Sequence, residues 1–254
     1  MRDEKRRTAV WRWPRTRLPS LLLGPVAAAT VLVVLVASTG LSSAAGARRV
    51  TASDRAVANA VNLWLSDLPG FHLGSSSGVS VGGDPGTQFN RCFGAVPKTS
   101  GGDDPSVSSP DFLKGTGLEE VSLDSSVGFS SVAALADDST LAKNPRLPQC
   151  IADALAALTV SGDGVKITGG APRSERLPSA IKSTRDVDSL LSMRASMTWD
   201  VRGLTFPIYA DLFLVAVGHE EITMFVFATV QPVVVASESR LMALMVQRAL
   251  AMPH

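Results

Sequence analysis

Cysteine, histidine and tyrosine are scarce in this chain of 254 residues, which has two, three and one of them respectively. Two cysteines without a nearby pair of histidines do not supply the four ligands of a structural zinc site. The chain has no basic excess of the kind that nucleic-acid-binding proteins use to neutralise phosphates, since 24 basic residues stand against 23 acidic ones. We therefore expect no metal, no cofactor and no nucleic-acid partner.

Charge is wholly absent between Leu18 and Ala45, an apolar stretch long enough to supply the roughly 20 helical residues that cross a bilayer. Residues 1–17 carry seven basic and two acidic side chains, and the excess of acid lies after the stretch. By the positive-inside rule, the head stays in the cytoplasm and the C-terminal part lies outside. The sequence predicts a basic head (1–17), a transmembrane helix or signal peptide (18–45), a linker (46–52) and an extracytoplasmic domain (53–254).

Two interpretations of the apolar stretch remain open. Ala45-Gly46-Ala47 fits the small-x-small pattern of a cleavage site, but such a leader would exceed the usual length of about 15 to 30 residues. We predict a single-pass membrane protein with its C-terminal domain outside, and secretion after cleavage near Ala47 is the alternative.

The two cysteines, Cys92 and Cys150, both lie in the part that we expect to be exported. An even number of cysteines in an oxidising compartment is typical of disulfide formation. Two separate buried thiols are the alternative.

Hydrophobic periodicity predicts an α+β fold. A helix is expected from about Ser53 to Leu68, with Val61, Trp64 and Leu65 on the apolar side that faces the core. A membrane-surface role for this helix is disfavoured because its polar side is not basic. The Gly-, Ser- and Pro-rich stretch 72–114 predicts exposed loops around a short ordered piece at 88–96. Further elements are predicted as strands at 120–129, 162–167, 190–201, 206–217 and 221–230 and helices at 131–143, 149–158 and 237–251.

Short connections between the last three strands predict an antiparallel meander covered by helices. In the strand at 206–217 one face is wholly apolar and the other carries Tyr209 and Asp211. The mixed face is expected to be partly exposed or to line a groove, and we predict Trp199, Tyr209 and Asp211 as residues that line a ligand site.

Several short motifs occur in a fixed order along the exported part. They are DLPGF at 67–71, NRCFGAV at 90–96, SPDF at 109–112, VGFSSVAAL at 127–135, PQCIADAL at 148–155 and IYADLFLVAVGHEEITMFVF at 208–227. In this order they resemble a family of exported actinobacterial proteins, similar to the extracellular sensor domains of mycobacterial serine/threonine kinases and to the Mog1/PsbP-like fold. The resemblance covers residues 53–251. It implies an antiparallel sheet flanked by helices and a disulfide between Cys92 and Cys150.

One catalytic pattern occurs. Residues 74–78 match G-x-S-x-G around Ser76, and Asp211 and His219 follow in the order of a hydrolase triad. Such a serine requires a turn between a strand and a helix, whereas Ser76 follows a predicted helix end and enters a Gly/Ser-rich loop. We therefore expect no enzyme activity and no catalytic residues.

The sequence thus predicts a membrane-anchored extracytoplasmic domain that binds or senses, without catalysis. Its expected partners are the membrane, through residues 18–45, and a small envelope molecule or a protein. A structural adaptor in a cell-envelope assembly is the alternative, and a serine hydrolase is the weaker one.

Overall fold

A computed structural model gives the fold of the chain. It describes residues 50–74, 80–82, 85–93, 106–116, 119–157, 159–162, 165–178, 181–201 and 204–252. The helices within these residues are α1 (Ala52–Val61), α2 (Pro85–Phe93), α3 (Val132–Ala142), α4 (Leu147–Ala156) and α5 (Val235–Leu250), with a short 3-10 helix at Leu65–Asp67. The strands are β1 (His72–Leu73), β2 (Ser80–Gly82), β3 (Ser106–Ser108), β4 (Phe112–Lys114), β5 (Val121–Phe129), β6 (Thr159–Gly162), β7 (Val165–Arg176), β8 (Val187–Val201), β9 (Leu204–Val217) and β10 (Glu220–Thr229).

The described strands form one antiparallel sheet in the order β1-β4-β5-β10-β9-β8-β7-β6-β2, and β3 pairs with β5. Strands β8, β9 and β10 are consecutive neighbours, so the predicted antiparallel meander is confirmed. The sheet continues on both sides of this meander, and among the described strands β1 and β2 lie at its two edges.

The core has two layers, one on each face of the sheet, because successive side chains of a strand point to opposite faces. On one face, Ala210, Leu212 and Leu214 of β9 pack with residues of α2 and α4. On the other face, Phe213 and Val215 pack with residues of α1 and α5. The predicted fold class, α+β with an antiparallel sheet flanked by helices, is therefore confirmed.

Most predicted elements of the second half are present with shifted ends. Strand β8 begins three residues before the predicted Leu190, and β7 runs to Arg176, well past the predicted end at residue 167. Hydrogen bonding across a long ladder extends these strands through polar residues, which carry no hydrophobic signal.

The predicted first helix is wrong in its extent. Thr51, not Ser53, caps α1, because its hydroxyl accepts a hydrogen bond from Asp54 N while the Asp54 carboxylate accepts one from Thr51 N. The helix ends at Val61, and Asn62 adopts an extended ψ of 157°. Trp64 and Leu65, predicted to face the core, are instead 54% and 41% exposed.

The disulfide is confirmed between Cys92 of α2 and Cys150 of α4, whose Cα atoms are 5.4 Å apart. Phe89 stacks on Phe93 beside it, with ring centroids 5.4 Å apart. The ordered piece predicted around Cys92 is thus a helix, which the disulfide fastens to the helix that covers β7 and β8.

Among the described residues, no helix combines the length and the apolar character needed to cross a membrane. The predicted span at 18–45, like the basic head, lies outside those residues.

Candidate functional site

The three predicted groove residues do not share one face of the sheet. Trp199 lies on the face covered by α2 and α4, where its ring centroid is 5.3 Å from that of Phe227. Tyr209 and Asp211 of β9 point to the face of the sheet opposite to that of Trp199, towards α5. The structure brings Tyr209 and Asp211 together around Arg194 and places Trp199 on the other side.

Asp211 forms a buried ion pair with Arg194 of the neighbouring strand. Arg194 Nε and Nη2 donate to the two carboxylate oxygens of Asp211 at 2.7 and 2.6 Å, and Nη2 also donates to the carbonyl of Val233 at 2.9 Å. The guanidinium carbon lies 5.9 Å from the centre of the Tyr209 ring. Bidentate geometry of this kind restrains both side chains, so Asp211 has a structural partner on the sheet surface.

Glu238 of α5 completes this cluster. Its carboxyl oxygen is 3.9 Å from Arg194 Nη2, and the residue is 1% exposed. Burial raises the pKa of Glu238 to about 9, and the adjacent Asp211 carboxylate adds to the rise more than Arg194 opposes it. Glu238 is therefore a neutral acid at pH 7, the form that can donate a hydrogen bond to Asp211. The cluster joins the start of α5 to the sheet.

A second buried acid lies on β5. Asp124 is 3% exposed, and burial, reinforced by the charge of Asp111, raises its pKa well above the ordinary value. One of its carboxyl oxygens and the hydroxyl of Ser122, which shares its face, have no hydrogen-bond partner among the residues that the structure describes. Within the described residues, however, no group of three or more histidine, cysteine or acidic side chains could hold a metal ion.

Asp211 and His219, two residues of the possible hydrolase triad with Ser76, lie far apart. His219 is exposed in the turn between β9 and β10, while Asp211 lies in the middle of β9 and pairs with Val226. The six residue steps of extended strand from Asp211 to Val217, the last residue of β9, correspond to about 20 Å, and His219 lies beyond them. Ser76 lies outside the described residues.

A cavity lies where α1 stops. Asn62 ends the helix because its side chain is used elsewhere: Nδ2 donates to Val107 O at 2.8 Å, and Oδ1 accepts from Ser125 Oγ at 3.0 Å. Ser125 Oγ also accepts from Leu63 N at 3.1 Å. These bonds fasten the end of α1 to β3 and β5 and turn the chain outward.

The next residues are held by a second set of bonds. The Asp67 carboxylate accepts from Trp64 N at 2.8 Å and forms a bidentate pair with Arg248 of α5 at 2.9 and 2.7 Å. Although burial opposes it, the hydrogen bond from Arg248 lowers the pKa of Asp67. Arg248 Nη1 donates in addition to Asn62 O at 3.0 Å. The short 3-10 helix therefore has a defined position against α5.

Between this segment and the sheet edge lies an open cavity of about 330 Å³, which we call the apolar groove. Its lining residues are Asn59, Asn62, Leu63, Trp64, Leu65, Leu73, Ser108, Ser109, Pro110 and Phe112. None of them is charged. Three large apolar side chains on its rim are strongly exposed: Trp64 at 54%, Leu65 at 41% and Leu73 at 55%. A cavity of this size and lining can accept an apolar group.

Sequence reasoning missed the groove because it continued the helix too far. Trp64 and Leu65 are in phase with the apolar side of α1, so periodicity alone assigns them to the core. Asp67, three residues after Trp64, was the available signal, because an acid at that spacing bonds back to a backbone N–H at the start of a new turn.

Together these observations define a helix-covered antiparallel sheet with an open apolar groove at one edge. No protein-family model and no curated protein matches the chain. Among solved structures, it is similar to the extracellular domain of PknH from Mycobacterium tuberculosis, with 12% identity, 80% of this chain and 98% of that chain covered, and a TM-score of 0.41.

Proposed function

We propose that this protein is a membrane-anchored extracytoplasmic binding domain, without catalytic activity, that receives an apolar group in the groove beside Trp64. The observation that supports this proposal is the apolar groove, because three exposed apolar side chains lie on its rim and its lining is uncharged. Exposed apolar patches on soluble domains are typical of interaction sites. The predicted span at 18–45 and the disulfide between Cys92 and Cys150 support the location, since disulfides persist in oxidising compartments.

Native mass spectrometry of the full chain, extracted from its own membranes in mild detergent, tests the binding. We expect a bound apolar molecule or a co-purified protein that Trp64→Ser with Leu73→Ser removes. Val234→Ser is the matched control, because Val234 is an apolar residue with 67% exposure at the opposite end of α5. Binding that survives the double change would contradict the site.

Two experiments test the location. In one, membranes are extracted with alkaline carbonate; in the other, protease is added to intact cells. We expect the chain to stay with the membrane and its C-terminal domain to be digested from outside. Recovery in the carbonate supernatant would refute the anchor.

The structural adaptor remains the second candidate, because an exposed apolar rim equally suits a neighbouring protein. A stoichiometric co-purified protein that depends on Trp64 and Leu73, in place of a small molecule, would favour it.

A further inference from the structure

Several polar groups beside the apolar groove are already bonded within the protein, whereas the side chains of Asn59 and Ser108 are exposed. The side chain of Asn62 donates to Val107 O and accepts from Ser125 Oγ, and the indole Nε1 of Trp64 donates to Asn59 O at 2.8 Å. The hydroxyl of Ser109 accepts from Ser125 N at 3.0 Å and donates to Pro110 O at 2.9 Å. Protein partners usually contribute about one hydrogen bond per 100–200 Å² of interface. With the side chains of Asn62, Trp64 and Ser109 bonded inward, the groove offers an occupant few hydrogen bonds, which suits hydrocarbon.

The length of chain between the groove and the predicted anchor restricts where the groove can lie. Six residues (46–51), and therefore seven Cα–Cα steps, separate Ala45, the end of the predicted span, from Ala52, the first residue of α1. Fully extended they reach about 25 Å, and the ten residues of α1 add about 15 Å. The rim therefore lies within about 40 Å of the bilayer. A tether this short gives an effective concentration in the millimolar range, at which a small contact suffices.

Charge at the rim agrees with a lipid surface. Lys114 is exposed on β4, next to β1, and its ammonium lies 5.6 Å from the centre of the Phe71 ring. The Asp67 carboxylate is neutralised by Arg248. Lys114 can keep its ammonium in the headgroup region while its stem lies on apolar surface, and exposed Trp is a residue type enriched at membrane–water interfaces.

From these observations we infer that the apolar groove docks on the outer leaflet of the bilayer that holds the anchor. Trp64, Leu65 and Leu73 insert at the interface, and a lipid acyl chain enters the groove. This inference rests on the proposed membrane anchor and names the occupant of the proposed binding site.

Photo-crosslinking in native membranes tests the inference on the full chain. The photoreactive amino acid p-benzoylphenylalanine replaces Leu65, Leu73 or, as the control, Val234. Val234 precedes a helix of 16 residues, about 24 Å long, whose other end carries the Arg248 that bonds to Asn62. We expect adducts of lipid mass at positions 65 and 73, several-fold more abundant than at position 234.

The other outcomes overturn the inference in distinguishable ways. Equal lipid labelling at all three positions would mean nonspecific contact. A protein adduct at 65 and 73 would reject the bilayer as occupant and keep the binding function. If carbonate released the chain from the membrane, the proposed anchor itself would fail, whereas an anchored chain without lipid adducts would reject the docking alone.

Discussion

At the scale of single residues, Glu238 shows how the fold selects a protonation state that the sequence does not reveal. An acid in the first turn of a helix is ordinarily a charged partner of the helix dipole. Here α5 buries Glu238 against Asp211, and burial raises its pKa to about 9. Its proton is therefore part of the folded structure at neutral pH.

We predict that Glu238→Gln increases stability above neutral pH. Because the pKa of Glu238 is higher in the folded protein than in the unfolded chain, the folded state binds more protons between about pH 4.5 and 9. The contribution of Glu238 to stability therefore falls as pH rises through this window, and the neutral amide avoids that loss. Urea unfolding should show Glu238→Gln to be more stable by about 5 kcal/mol at pH 8 and nearly equal at pH 4.5. If the free energies of unfolding of the two proteins changed with pH in the same way, the assignment of the proton to Glu238 would be refuted.

At the scale of elements, Arg194 connects two parts that come from distant positions in the chain. It pairs with Asp211 of β9 and donates to the carbonyl of Val233, just before α5. Its own pKa is raised, chiefly by the hydrogen bond to Asp211. The pair thus positions the start of α5 on the sheet.

We predict that Arg194→Met destabilises the domain by about 3–5 kcal/mol, because the Asp211 carboxylate is left buried without its partner. Denaturant unfolding measures the change. The matched control is Arg194→Met with Asp211→Leu, which removes both charges and should recover most of the loss. If the double variant were no more stable than the single one, packing rather than the unpaired charge would account for the cost.

The disulfide acts at the same scale by joining α2 to α4. It closes a loop with a sequence separation of 58 residues. Replacing both cysteines by serine is expected to lower the free energy of unfolding by about 4 kcal/mol, chiefly by freeing the unfolded chain. Thermal unfolding of the serine variant and of the parent protein with and without reductant measures the effect. Reductant should lower the midpoint of thermal unfolding of the parent protein and leave that of the variant unchanged. If reductant lowered both midpoints, the effect would have a cause other than the disulfide.

At the scale of the whole molecule, stability is expected to decrease from the meander outward. Strands β8, β9 and β10 are covered by helices on both faces, whereas β1 and β2 lie at the edges of the described sheet. Amide hydrogen exchange should be slowest in the centre of β9 and fast in β1, because edge strands open without unfolding of the core. Slow exchange at Leu73 in detergent-free membranes, but not in detergent, would also agree with docking of the groove on lipid. Uniform exchange across the sheet would contradict the layered arrangement.

The antiparallel meander, the closing helix and the pairing of Cys92 with Cys150 could all be predicted from the sequence. Apolar alternation in 206–217 and the short turns around it are local signals, and they confine neighbouring strands to antiparallel pairing. Short strands such as β3 and β4 escaped prediction, since three residues in a Gly- and Ser-rich stretch carry no periodicity and gain their order from pairing with β5.

By itself, then, the sequence determined the fold class and the meander, because both depend on periodicity and spacing. From the number of cysteines it predicted the disulfide, with two separate buried thiols as the alternative. Only the tertiary structure decided where the apolar groove lies. The Asn62 side chain ends α1 through bonds to Val107 and Ser125, residues 45 and 63 positions away. Those long-range bonds expose Trp64, and the position of α5 likewise gives Asp211 a buried partner. Contacts between distant parts of the chain leave no local pattern, so the apolar groove could not be found before the fold was known.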